Sequence, residues 1–216
     1  MKRITILAGH YGSGKSEIAV NLALESNINT LVDIDIINPY FRSRALNKLL
    51  NSHGVQVIES TIENVTGSDL PFISSKGSHP FINKDLSAIY DLGGTELGAK
   101  VLIQYRDFIK DFSEIDLLIV INIFRPETSS VELIINTIQA LENAAQMKVT
   151  GLINNTNLMD ETTETMILEG QRIIESVSAE LSLPIMYTFI EEHVQTNVQF
   201  KGENKRLIRH VAKHWL

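Results

Sequence analysis

Eight residues near the amino end carry the strongest chemical signal in the chain. Gly9-His-Tyr-Gly-Ser-Gly14-Lys15-Ser16 sets glycines at its first, fourth and sixth positions, ahead of a lysine and a hydroxyl. Small residues at Gly9, Gly12, Ser13 and Gly14 let backbone N–H groups turn toward one point. A helix opening at Lys15 would add the partial positive charge of its N-terminus. Such a concavity suits a polyphosphate. Lys15 can bridge β and γ phosphates as a catalytic cation, the Ser16 hydroxyl can ligate Mg²⁺, and Glu17 continues the contact surface. Average residue usage produces this spacing by chance in fewer than about one chain in a hundred of this length. It is therefore read as a phosphate site and not as a glycine turn.

A triphosphate with Mg²⁺ also needs carboxylates at neighbouring strand ends. Asp33 and Asp35 close one apolar run, and Asp91 closes another just before Gly93-Gly94. Two residues apart on a strand, Asp33 and Asp35 would share a face. One could touch the metal shell while the other orients the attacking water. Gly94, without a side chain, could offer its N–H to a γ phosphate. A lone aspartate at a strand end is more often a cap or turn. Three of them behind one phosphate loop favour a metal set of Ser16, Asp33, Asp35 and Asp91.

These groups need a scaffold, and the chain alternates short apolar runs with stretches of helical period. Strands are expected over Arg3–Ala8, Asn29–Asp35, Val55–Ile58, Ala88–Asp91, Leu117–Ile123, Val149–Asn154 and Pro184–Tyr187. Helices are expected over Lys15–Glu25, Phe41–Leu50, Thr95–Phe112, Glu127–Ala145, Thr162–Glu180 and Lys205–Trp215. The pattern predicts an α/β fold: a doubly wound, mostly parallel sheet with helices on both faces and ligands beyond the carboxyl ends of its strands. All 216 residues are expected to form a single nucleotide-binding domain, with a loop-rich insertion around residues 59–86.

Bulk properties narrow the function. A net charge of −7 disfavours nucleic acid as the main partner. Without cysteine, disulfides, thiolate metal sites and ligated iron–sulfur clusters are excluded within this chain. The apolar run after Met1 is too short for a secretory signal, and no stretch reaches membrane-span length. The expectation is a soluble, cytoplasmic protein.

On these residues the chain resembles the CobQ/CobB/MinD/ParA group of P-loop ATPases over most of its length. The likeness rests on Gly9–Ser16, on Asp33-Ile-Asp35 followed by Asn38-Pro39, on Asp91-Leu-Gly-Gly94, and on a later Asn ending a strand. More narrowly it is similar to bacterial ATP-binding proteins with an Asn-Pro-Tyr-Phe-Arg-Ser-Arg stretch and the Gly93–Ala99 segment, whose role the resemblance does not supply. The resemblance implies ATP and Mg²⁺ as cofactors. It makes Asp35 the catalytic carboxylate with Asp33 behind it, Asp91 a metal-shell residue, Gly94 a γ-phosphate sensor, and Asn154 or Asn155 the adenine contact. One position departs: His10 aligns with the extra loop lysine of ParA-like members. Arg42 and Arg44 could supply that charge as a finger, or could be solvated surface cations.

The base stays open. Asn157-Leu-Met-Asp160 has the ends of the Asn-Lys-x-Asp pattern of a GTP site without its lysine, and Asp160 could accept both guanine N–H groups. The leading expectation is a slow, Mg²⁺-dependent ATPase switch acting on a protein partner or homodimer. The alternatives are a dethiobiotin-synthetase-like kinase or ligase, with Lys76 or His79 as anion contacts, and a GTP-binding switch. A scaffold that never cleaves its nucleotide is kept open by His10.

Overall fold

The computed structural model of the chain describes residues 1–35, 44–59, 75–109 and 111–211. Asn38-Pro39, Arg42, the insertion's residues 60–74 and His214 fall outside them. Seven of the apolar runs and one charged segment become β1 (Ile4–Ala8), β2 (Thr30–Ile34), β3 (Gln56–Glu59), β4 (Ala88–Leu92), β5 (Ile115–Ile121), β6 (Gly151–Asn154), β7 (Ile185–Glu191) and, from the charged segment, β8 (Glu203–Leu207). They form one sheet in the order β3-β2-β4-β1-β5-β6-β7-β8. Every pairing is parallel. Parallel neighbours need crossovers that lay helices on both faces, so β1, β2, β4, β5 and β6 are buried along their whole length.

The helices divide as a doubly wound fold requires. α1 (Lys15–Glu25) and α2 (Arg44–Ser52) cover one face, burying Ile18, Leu22, Leu46 and Leu50 against Leu7, Leu31 and Ile89. α3 (His79–Ile82), α4 (Glu96–Lys100), α5 (Val131–Ala145) and α6 (Glu164–Leu181) cover the other, against Ile4, Ile6, Tyr90 and Ile119. Side chains alternate across β1: Ile4 and Ile6 face one core and Leu7 the other. Because β1 lies between β4 and β5, the phosphate loop emerges at the centre of the sheet, with the end of β4 beside it.

Three expected helices change. The expected terminal helix over Lys205–Trp215 does not begin where expected: Glu203–Leu207 is strand β8 on the edge of β7, residues 208–211 continue without helix, and residues 212–215 lie outside the described residues. The open edge of β7 gives this backbone a ladder, and Lys205 pairs with Glu25 (3.1 Å) and Glu203 (3.0 Å) over the Tyr187 ring. Tertiary pairing overrides local periodicity there. Thr95–Phe112 breaks into α4 and a 3-10 stretch over Val101–Phe108. The expected Glu127 start moves to Val131, because Pro126–Thr128 forms a separate turn and the Ser130 hydroxyl accepts Leu133 N–H (3.3 Å) as the cap.

Candidate functional site

The loop between β1 and α1 is a bend that only its own residues permit. Gly9 has φ 143°, and a Cβ there would stand 2.4 Å from the Val120 carbonyl oxygen. Gly14 has φ 90°, and a Cβ there would stand 2.3 Å from Asn155 Nδ2. Three contacts brace the bend: Ser13 N–H donates to His10 O (3.2 Å), Asn155 Nδ2 to Ser13 O (2.8 Å) and Arg125 Nε to Gly12 O (2.8 Å). Gly14 caps α1, so Lys15, Ser16 and Glu17 form its first turn, with N–H groups that the helix itself does not use.

Lys15 is buried, and its Nζ donates to His10 O (3.1 Å). Burial pushes its pKa down, while Asp91 and Asp35 oppose that shift. Asp91 is fully buried. Its Oδ2 accepts the Ser16 hydroxyl (2.5 Å), and its Oδ1 is buried with no hydrogen-bond partner. Burial raises this carboxyl to about 6, against the pull of Lys15 and of the Ser16 hydrogen bond, with Asp35 adding to the rise. An orphaned carboxylate oxygen beside a serine hydroxyl and a lysine fits the outer shell of a magnesium ion. Among the described residues no group of three or more His, Asp or Glu could hold a metal unaided, so an ion held here would need further ligands from an anion and water.

Asp35 lies one residue beyond β2, and its N–H donates to Asp33 Oδ1 (3.0 Å). Asp35 reaches the cavity, whereas Asp33 stands behind it and opposite Asp91 in the strand register. The Gly93-Gly94 pair closes onto this group. A Cβ on Gly94 would lie 2.7 Å from Tyr11 N and 3.0 Å from Lys15 Nζ, and one on Gly93 would lie 3.2 Å from Asp35 Oδ1.

A cavity of about 870 Å³ runs from this loop to the segments after β6, β7 and β8. At its far end are Met159, Asp160, His193 and Arg209. Arg209 ties the walls together, donating to Asp160 Oδ1 (2.8 Å) and to Glu191 Oε2 (3.0 Å). Burial raises the Glu191 carboxyl, and Arg209 counters it. Glu17 borders the cavity, but its carboxylate accepts the backbone N–H groups of His210 and Val211, and Asn21 exchanges two hydrogen bonds with Ile208. Asn154 and Asn155 are buried away from the cavity lining: Asn154 Oδ1 accepts Thr156 N–H (3.0 Å), and Asn155 braces the phosphate loop. Lys76 and His79 are likewise outside the lining.

Sequence reasoning missed Arg125 and Arg209. Arg125 follows β5 at the carboxyl edge of the sheet, a position the strand assignment could have flagged. Arg209 was hidden by the expected terminal helix.

No family model and no curated protein matches the sequence. Solved structures do. Chloroplast FtsY from Physcomitrella patens superposes with a TM-score of 0.56 at 14% identity, covering 87% of this chain and 58% of that one. The cell division protein ftsY from Thermotoga maritima gives 0.51 at 16%, over 87% and 61%. The signal recognition particle receptor FtsY from Elizabethkingia anophelis in complex with GDP gives 0.50 at 17%, over 88% and 57%. The fold is that of the P-loop nucleoside triphosphatases. This likeness reaches the shared P-loop architecture and not the MinD/ParA branch in particular. The chain spans about three-fifths of the length of the structures it matches. Among the described residues no helix is long and apolar enough to cross a membrane.

Proposed function

We propose that the chain binds a guanine nucleoside triphosphate with Mg²⁺, hydrolyses it slowly, and uses the bound state as a switch on a protein partner. The observation that carries this is the trio beneath the loop, buried Lys15 and Asp91 with half-buried Ser16 between them, and Asp91 Oδ1 without a hydrogen-bond partner. Lys15 neutralises charge on the terminal phosphates, and Gly94 lies beside it, where a Cβ would stand 3.0 Å from Lys15 Nζ. Ser16 Oγ would hold Mg²⁺ and Asp91 its water, and the ion would supply charge neutralisation across the β and γ phosphates. Asp35, held by Asp33, orients the attacking water. The placement of Asp35 and Asp91 also supports a MinD/ParA-type arrangement of the two carboxylates.

Guanine is favoured over the adenine first expected. Asp160 stands in the far end of the cavity, where a carboxylate can accept both N–H groups of a guanine edge, and Arg209 beside it is a donor for the base oxygen. The Asn154 and Asn155 amides serve the core and the loop instead. The GDP bound in the FtsY structure from Elizabethkingia anophelis agrees with this choice for the fold. The switch reading is supported by Tyr11, 56% exposed, whose backbone N would stand 2.7 Å from a Cβ on Gly94. A change at the γ-phosphate position would reach the surface through this contact. No cavity contact from Lys76 or His79 supports the kinase or ligase reading.

The test is a melting and phosphate-release panel over GTP, ATP and CTP with Mg²⁺. GTP should stabilise most, Lys15→Ala should remove the stabilisation while leaving the fold intact, and Asp160→Asn should cut the preference for GTP over ATP at least tenfold. Stabilisation by ATP in excess of GTP would return the base to adenine, and no stabilisation by any triphosphate would sink the proposal.

A further inference from the structure

We infer that Arg125 is the transition-state cation of this site, supplied in cis by the turn after β5. The inference rests on the nucleotide site just proposed. Arg125 borders the cavity at the phosphate loop, its Nε donating to Gly12 O (2.8 Å). Its two terminal amino groups have no hydrogen-bond or carboxylate partner among the described residues. The nearest carboxylate in sequence, Glu127, pairs instead with His10 Nδ1 (3.2 Å). Glycine at position 12 is what allows this approach, since a Cβ there would stand 3.2 Å from Arg125 Nε and 3.3 Å from Cζ. An arginine anchored through Nε alone, over a loop built for polyphosphate, offers its remaining fork to the anion.

The turn that carries it is stiff. Asn122 and Thr128 are both buried. Asn122 Oδ1 accepts Phe124 N–H (3.1 Å), its Nδ2 donates to Asn157 O (2.9 Å), and Asn122 O accepts both Arg125 N–H (3.1 Å) and the Thr128 hydroxyl (2.7 Å). The base of the guanidinium is therefore positioned before any ligand arrives, which is the condition for charge stabilisation without reorganisation. In the step it serves, the oxygen of water bonds to the γ phosphorus, and the bond from that phosphorus to the β–γ bridging oxygen breaks. The electron pair stays on the β phosphate, and the water's proton leaves with the orthophosphate and solvent. Arg125 neutralises negative charge gathering on the bridging and γ oxygens. It fills the role left vacant by His10, a place the sequence offered only to Arg42 and Arg44.

The experiment compares the full chain with Arg125→Ala and Arg125→Lys. Calorimetry measures affinity for the diphosphate of the base selected by the panel, with Mg²⁺, alone and with aluminium fluoride as mimic of the transferring phosphoryl group. Single-turnover phosphate release is measured in parallel. Both variants should bind the diphosphate within about threefold of the parent. Both should lose at least 100-fold of the extra affinity conferred by aluminium fluoride, and release phosphate on the order of 10³-fold more slowly. Lysine should not rescue, because an ammonium lacks the planar fork. Retained fluoride enhancement in Arg125→Ala would overturn the assignment. So would an equal loss of diphosphate affinity, which would leave Arg125 as a loop brace and nothing more, or absence of enhancement in the parent chain. A parent chain that binds no diphosphate would bring down the proposed function as well; intact diphosphate binding with any of those results removes Arg125 alone.

Discussion

At the residue scale Asp91 is held against its own solvation, and this has a measurable signature. Its carboxyl sits at about 6 in the folded chain against an ordinary 3.8, mainly because it is fully buried. Between those pH values the folded protein keeps a proton that the unfolded chain has released. The contribution of Asp91 to stability is therefore greatest below pH 3.8 and is lost as pH rises through 6. Asp91→Asn should raise the melting temperature of the nucleotide-free protein at pH 7.5, by up to ~3 kcal/mol of stability. The gain should shrink toward pH 4. With Mg²⁺ and triphosphate the order should reverse, because the variant lacks the charge the metal shell needs. Parent affinity for the Mg²⁺ complex should fall as pH drops below about 6. Thermal melts at paired pH values, with and without nucleotide, check both statements. The same residue shows what was legible beforehand. Its chemistry was readable from the strand end and the following glycines, whereas the lone oxygen depends on burial, which a linear pattern does not report.

At the element scale the centre of the sheet was legible and its last edge was not. Strands buried on both faces read as continuous apolar runs, so β1, β2, β4 and β5 fall within two residues of their expected bounds. A charged edge strand such as Glu203–Leu207 carries no such run, and Leu207, Ile208 and Val211 fit a helical stripe equally well. What fixes that segment is a distant side-chain clamp, with Asn21 and Glu17 of α1 holding the backbone of Ile208, His210 and Val211. Asn21→Ala should cost ~1 kcal/mol, since it leaves the part-buried N–H and C=O of Ile208 without their side-chain partners. It should also speed hydrogen exchange of the Ile208 amide at least tenfold while the β1 amides keep their protection. Unchanged exchange at Ile208 would contradict the clamp. Arg209 was missed for the same reason: its place on the cavity wall beside Asp160 becomes visible only once the edge strand is in place.

At the scale of the whole molecule, the cavity ties nucleotide affinity to global stability. A ligand that binds only the folded chain stabilises it by RT ln(1 + [L]/Kd), about 2.7 kcal/mol at a hundredfold excess over Kd. For a chain of this length that corresponds to a rise in Tm of roughly 5–10 °C. Scanning calorimetry across a GTP titration should show a shift that grows logarithmically with concentration, and a fixed Tm would mean that no ligand enters.

The cavity also joins the two ends of the chain in time as well as in space. Its phosphate-gripping bend is complete by residue 16, yet Leu207, Arg209 and Val211 supply its far wall. A ribosome exposes the bend early and the wall almost two hundred residues later. Between those two points of its synthesis the nascent polypeptide therefore carries a half-built receptacle. The nucleotide can act as a late seal, locking the molecule only after β8 has docked and its own final wall has closed.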